Sequence, residues 1–489
     1  MSGDWLNGGI SRRRLSGMLA GLAMGRRRLL LADEAGGSVG VVLRPDPWPS
    51  AVTQVRYRSR VTGTLSTPTA SGKSDYKLES QGDFEFLQRV AALPPGSNGL
   101  LRASRRFTTA KTRALVGGNH ETVTTLPDGA RRILLSSRDN SLTQFSPDVR
   151  LSRPQLDLLH VPLDPLAAAG LLPARAVMAA GERWNADNRT VALLCGFDAV
   201  ISQTTVCSLE QLSDKQAVIQ FSCRAAGAVS GSAVDVETAG TLVLDRSSGL
   251  LTSLRASIRE KRSPGAISPG LDVSGEVDWN QVTAAAGAAG LPEDLPETGA
   301  DPRLLLLTLL TPWELMLLHD RDWHVFQQTP ELMLLRRISG GALIGQCNLS
   351  RGPQLKPGQH ASEAEFLADV ERRIQERRGQ IESSKVRSDV NGWRIHHVRA
   401  LAVVPAADPA VGAGQGGAGK SAAGEAIPAI GKDRRVFWDY YLCTAAGGEQ
   451  YSLVFSHLEE DAVAFGNAAE RMLGTLTLRT ARPRVALPR

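Results

Sequence analysis

Hydrophobic and polar positions alternate most regularly between Leu193 and Arg262. There Ile219, Phe221, Cys223 and Ala225 alternate with Val218, Gln220, Ser222 and Arg224, the period of two that marks a half-buried strand. The preceding Ser213-Asp214-Lys215-Gln216 is turn chemistry, so Thr205–Leu212 is expected to pair back as a hairpin arm. Gly240–Asp245 and Leu250–Glu260 add two arms across Arg246-Ser247-Ser248-Gly249, which together predict a β-meander.

The same period runs upstream. Tyr57, Val61 and Leu65 share one face and Arg56, Arg58 and Arg60 the other. Tyr76, Leu78, Ser80, Phe84 and Phe86 alternate with Lys77, Glu79, Gln81, Asp83 and Glu85, so the basic and acidic stripes are expected to face each other on the wet side of neighbouring strands. Leu100–Ala114, Glu121–Leu126 and Ala130–Ser137 continue the pattern. Pro154–His160 and Pro165–Leu171 interrupt it with short helical turns, each opened by a proline. Val177–Trp184 follows, and a last strand is expected around Val273–Trp279. Ten or more antiparallel strands must curl or close to hide their edges.

Ala284–Ala300, rich in Ala, Gly and Pro, reads as a linker. Beyond it, Trp313–His319, Trp323–Gln328, Glu331–Ile338 and Ala342–Ser350 read as strands, with Gly340-Gly341 as a hairpin turn. Ser362 and Glu365 form an S-x-x-E start for a helix that buries Phe366, Leu367, Val370 and Ile374. Lys385–Val390 and Trp393–Val404 flank Asn391-Gly392, and Arg434–Thr444 and Tyr451–Ser456 flank Ala446-Gly447-Gly448. Ser456 and Glu459 are expected to open a second helix with the face Ala462, Phe465, Ala469, Met472 and Leu473.

The expected class is therefore α+β: a large antiparallel curled sheet or half-barrel with a short helical insert, then an antiparallel sheet with two amphipathic helices. The expected boundaries are a basic leader at 1–36, a lead-in at 37–49, a β domain at 50–281, a linker at 282–301, an α/β domain at 302–481 with a flexible insertion at 405–432, and a tail at 482–489.

Long curved strands with a helical insert, together with the run Leu172-Pro173…Val177…Gly181-Glu182-Arg183-Trp184, make residues 50–281 resemble the half-open barrels of exported bacterial carriers of the LolA/LppX kind. That resemblance implies a concave apolar face sheltering an acyl chain. The order strands, helix, long hairpins, closing helix over residues 302–480 resembles the PsbP-like α/β/α sandwich. It implies a non-catalytic role in assembly or interaction, with the domain docking onto a partner protein.

Charge changes the picture only once it is located. The chain carries a net +6, but residues 1–32 hold six arginines against Asp4, a local +5. The remainder is nearly neutral, which argues against a nucleic-acid surface. Ser11-Arg12-Arg13-Arg14-Leu15 followed by the apolar Leu15–Met24 resembles a twin-arginine export signal, so the expected location is the periplasm or cell envelope; without export it is the cytoplasm. The apolar run Leu304–Leu310 is too short to span a bilayer, so no integral membrane protein is expected.

Candidate chemistry is thin. A turn centred on Lys215 would place Cys207 opposite Cys223 and Leu209 opposite Phe221, making Cys207–Cys223 the favoured disulfide in an oxidising compartment. Cys195, Cys347 and Cys443 have no metal spacing. Gly414, Gly419, Lys420 and Ser421 complete the G-x-x-x-x-G-K-[ST] phosphate-loop pattern. Pro405 and Pro409 break any strand before it, and Gly424 and Pro428 any helix after it, so a flexible loop is the expectation. His319, Asp320, Asp322 and His324 concentrate possible metal ligands, although a hairpin turn explains the same letters. His396 and His397 adjoin in one strand and point to opposite faces. No G-x-S-x-G, H-E-x-x-H or C-x-x-C motif occurs.

No cofactor or catalytic residue is therefore expected. The first expectation is a non-enzymatic exported envelope protein that binds an apolar ligand such as a lipid, or a partner protein. The alternative is a hydrolase or transferase with a site at the domain junction, and a third is a nucleotide-dependent protein using Lys420.

Overall fold

Alternation along the chain becomes antiparallel pairing over nearly the whole first half. The computed structural model describes residues 41–43, 51–69, 72–91, 101–138, 141–173, 179–285, 291, 304–310, 313–390, 392–404 and 434–479. The leader and the Gly414–Ser421 stretch lie outside these.

The first sheet begins with β1 (Thr53–Thr69), β2 (Gly72–Val90), β3 (Leu101–Val116), β4 (His120–Thr125), β5 (Arg132–Arg138) and β6 (Ser141–Phe145). It continues through β7 (Arg183–Asn185), β8 (Ala199–Leu212), β9 (Gln216–Val229), β10 (Ser232–Asp245), β11 (Leu250–Arg262) and β12 (Gly270–Thr283). Their spatial order is β6-β5-β3-β2-β1-β12-β11-β10-β9-β8-β7, with β4 on the second half of β3. β6 and β7 remain edges, so the sheet curls without closing into a barrel. The stripe expectation holds: Arg56 faces Glu85 and Arg58 faces Asp83 in register, and both pairs form ion pairs on the exposed face.

Three short helices fill the concave side. They are α1 (Arg153–Leu158), α2 (Pro165–Ala168) and α3 (Asn188–Cys195). Asp187 caps α3 by accepting from the Thr190 N–H at 2.7 Å, and Gly196 ends it at a φ of +68°, which suits glycine. Tyr57, Phe84, Phe86, Phe107, Leu254 and Trp279 from the sheet meet Leu156, Leu158 and Leu171 from the inserts in one core.

The second half contributes β13 (Leu306–Leu310), β14 (Leu315–His319), β15 (Trp323–Gln328), β16 (Leu332–Ser339) and β17 (Ala342–Arg351), then α4 (Glu363–Gln375). It ends with β18 (Gln380–Val390), β19 (Trp393–Val404), β20 (Arg434–Ala445), β21 (Gln450–Leu458), α5 (Ala462–Phe465), α6 (Ala468–Leu473) and β22 (Thr477–Leu478). Seven of the strands form a sheet in the order β15-β16-β17-β21-β20-β19-β18, and β13-β14-β22 form a small third sheet. Val370 and Ile374 of α4 pack on Val398, Ala400 and Trp438. Phe465 and Met472 pack on the opposite face with Trp323, Tyr441 and Phe455.

The second helix differs from expectation. Ser456 pairs with Trp438 in the ladder, so its backbone is committed to β21, which runs on to Leu458. Gly466, at a φ of +55°, then splits the helix into α5 and α6.

The cysteine register also differs. The turn is centred between Asp214 and Lys215, not on Lys215, and an irregularity between Leu209 and Gln211 shifts the β8–β9 ladder by one residue more, so Cys207 faces Phe221 and Cys223 faces Thr205. Cys207 and Cys223 are not the cross-strand pair expected, and all five cysteines are free thiols.

Candidate functional site

A segment between α1 and α2 is pinned to the concave face, and it shapes a groove against the first sheet. Its carbonyls are taken by buried sheet side chains: Tyr57 Oη donates to the Pro162 carbonyl at 2.8 Å, Trp279 Nε1 to Leu163 at 3.0 Å, and Gln144 Nε2 to Leu159 at 3.1 Å. Arg105 of β3 holds Asp164 with two bonds, Nη2 to Oδ1 at 2.6 Å and Nη1 to Oδ2 at 2.7 Å, while its Nε donates to Gln88 Oε1 at 2.9 Å. The Arg105 guanidinium also sits 4.6 Å over the Phe86 ring. With Arg105 1% and Asp164 4% exposed, this charged pair is sealed inside the core. Asp164 additionally accepts from the Leu166 N–H at 2.9 Å and so caps α2.

Between this clamped segment and the sheet lies a groove of about 380 Å³. Its floor comes from the sheet: Ser59, Ser80, Phe84, Thr112 and Thr124. Its wall comes from α1 and the segment after it: Pro154, Asp157, Leu158, His160, Val161 and Pro162. Register explains the floor. Ser59 faces Gly82, Gly82 faces Thr112 and Thr112 faces Thr124, so one row crosses four strands. A Cβ at Gly82 would lie 2.6 Å from Ser59 Oγ and 3.0 Å from Phe84, so glycine keeps the middle of the row open.

The wall carries two titratable groups, Asp157 and His160, both exposed to water. Burial, then the charges of Arg321 and Arg153, push the His160 imidazole down to about 4, so it is neutral near pH 7. Burial raises the Asp157 carboxyl above its usual range, opposed by Arg153, whose Nε lies 3.2 Å away.

Beyond the groove the concave face is less covered. Val61, Leu65, Leu78, Ala114 and Val116 are half-buried and Tyr76 is 43% exposed, all on the face that carries Tyr57 and Ser59 farther down the strands. This stripe was legible in the alternation of β1 and β2; what covers each half of it was not.

The metal-ligand candidates do not converge. His319 Nδ1–H donates to the Asp320 carbonyl at 2.8 Å and its Nε2 accepts from Thr308 at 2.9 Å. Asp320 pairs with Arg471 at 3.2 Å and Arg337 at 3.6 Å, and Asp322 pairs with Arg337 at 3.4 Å. His324 accepts from Arg153 at 2.6 Å; burial first, then Arg153 and His319, lower it to about 3. Each carboxylate thus faces a guanidinium, and no group of three or more possible ligands assembles among the described residues. A smaller cavity of about 180 Å³ adjoins His319, Asp320, Trp323, Arg471 and Thr475.

Sequence reasoning missed one constellation. His397 Nε2 lies 2.8 Å from Asp439 Oδ1, and the Tyr441 ring stacks on the imidazole at 4.2 Å. The three meet only through the β19–β20 register, across an insertion whose length hides it. His397 and Asp439 are 7% and 4% exposed, and neither lines either groove, so the pair braces the sheet.

No helix among the described residues is long and apolar enough to cross a membrane. The chain matches no protein-family model and no curated protein. Among solved structures it is similar to lipovitellin, described for its lipid–protein interactions, at 8% identity and a TM-score of 0.27, over 50% of this chain and 26% of that one. It thus spans about a quarter of that chain. A Rhodopseudomonas blastica porin is 5% identical with a TM-score of 0.10, over 83% of this chain and 99% of the porin. Pseudomonas aeruginosa OpdQ is 8% identical with a TM-score of 0.11, over 83% and 97%. Likenesses this slight establish no shared fold.

Proposed function

We propose that this chain is a non-enzymatic binding protein whose first sheet shelters an apolar or amphiphilic ligand on its concave face. The observation that carries it is the continuity of the half-covered stripe Val61, Leu65, Tyr76, Leu78 and Val116 with the groove under α1. An apolar stripe left uncovered on a curved sheet loses free energy to water, about 25 cal/mol for each Å² that a ligand could cover. The buried Arg105–Asp164 clamp holds the groove's far wall in place, so it is formed before the ligand arrives. The resemblance to exported half-barrel carriers and the twin-arginine-like leader make export to the cell envelope part of this reading, with the second half as the docking body for a partner protein.

The test is displacement of an environment-sensitive fatty-acid probe from the purified protein. Leu78→Asp places a charge on the stripe at a half-buried position and is expected to weaken probe binding at least tenfold while leaving circular dichroism unchanged. Unchanged affinity in Leu78→Asp would remove the stripe as the site.

A further inference from the structure

The groove floor is unlike the stripe beside it. Ser80, Thr112 and Thr124 present hydroxyls on it, and none of the three has a hydrogen-bond partner among the described residues. Thr112 and Thr124 sit side by side on adjacent strands, about 4.8 Å apart across the ladder. Across from them the His160 imidazole offers a further polar atom, and Leu158 and Val161 offer an apolar surface for C–H groups.

Charge narrows the ligand further. The one carboxylate lining the groove, Asp157, is already paired with Arg153, and no lysine or arginine lines it. An ionic head group entering here would lose water and gain no counter-charge. A neutral ligand with several hydroxyls would satisfy the unpartnered Ser and Thr groups, each of which can both donate and accept.

Resting on the proposed binding role, we infer that the groove under α1 recognises an uncharged, hydroxyl-rich group of the sugar type, with any alkyl portion lying along the Val61–Leu78 stripe. This assigns the head to one set of residues and the tail to another. The source of such a group, a glycolipid or a free saccharide, is set by whether the tail contributes.

The experiment compares calorimetric binding of octyl maltoside below its micellar concentration, free maltose, and octanoate to the full chain. The first is expected to bind at least tenfold more tightly than octanoate. Thr112→Val and Ser80→Ala should each weaken it roughly five-fold, the effect of one neutral hydrogen bond, without changing octanoate binding. Gly82→Val fills the row from the middle and should abolish glycoside binding; circular dichroism and the unchanged octanoate affinity report that the variant is folded. Maltose binding as tightly as the octyl glycoside would assign a free saccharide and uphold the hydroxyl-rich class. Equal binding of octanoate and glycoside, insensitive to Thr112→Val, would overturn this inference and leave the apolar-ligand reading standing. Binding of none of the three would overturn both.

Discussion

Replacing Arg105 by methionine tests whether one ion pair fixes the wall of the groove. The substitution keeps most of the aliphatic volume over Phe86 but removes two charged hydrogen bonds to Asp164 and one to Gln88. Among the described residues Asp164, 4% exposed, keeps only the Leu166 N–H as a partner, so a nearly uncompensated carboxylate stays in the core. Breaking such a buried pair from one side costs about 3–5 kcal/mol. The double variant Arg105→Met/Asp164→Leu removes both charges and should recover all but about 1–2 kcal/mol. Urea unfolding followed by tryptophan fluorescence is the assay, because Trp279 bonds to the same segment at Leu163. Limited proteolysis should show faster cleavage near 159–165 in the single variant alone. A loss below about 1 kcal/mol in Arg105→Met, or a double variant no better than the single one, would refute the clamp.

Acid should weaken the fold through a histidine held neutral. His324, half-buried, has a folded value of about 3, below the unfolded 6.5, so the unfolded chain takes up its proton first and stability falls as pH drops from about 6.5 to about 3. His324→Gln should flatten that fall in urea midpoints measured between pH 4 and 7; an unaltered slope would exclude His324 as a contributor. Cys195, at the end of α3, packs on the cluster holding Cys223. Treatment with oxidised glutathione should therefore join Cys195 to Cys223, seen by non-reducing peptide mapping, and Cys207→Ser should leave the bond intact. A Cys207–Cys223 peptide would contradict the β8–β9 register, in which Cys207 faces Phe221. Gly466→Ala should destabilise the chain by roughly 1 kcal/mol, because its φ of +55° strains any side chain; a gain in melting temperature would contradict the break between α5 and α6.

Much of the architecture could be read from alternation because each strand of the first sheet wets one face. Arg56 and Arg58 opposite Glu85 and Asp83 were legible for that reason. The turn centre and the irregularity near Leu209 were not: each displaces the ladder by one residue without changing composition, and together they move Cys207 from Cys223 to Phe221. Helix α3 escaped notice because its eight residues are too few to show a helical period between the strands on either side. The groove was hidden for a different reason. Ser59, Gly82, Thr112 and Thr124 come from four strands, and their alignment exists only in the register. The hairpin letters His319–His324 could not show that Arg153, Arg337 and Arg471 would partner them from other segments.

Native mass spectrometry of the protein purified from its own host tests the binding role most directly. A bound small amphiphile, released on denaturation and lost in Leu78→Asp, is the predicted result. A wild-type chain that carries no small molecule and takes up none of the octyl glycoside, maltose or fatty-acid probes would contradict it.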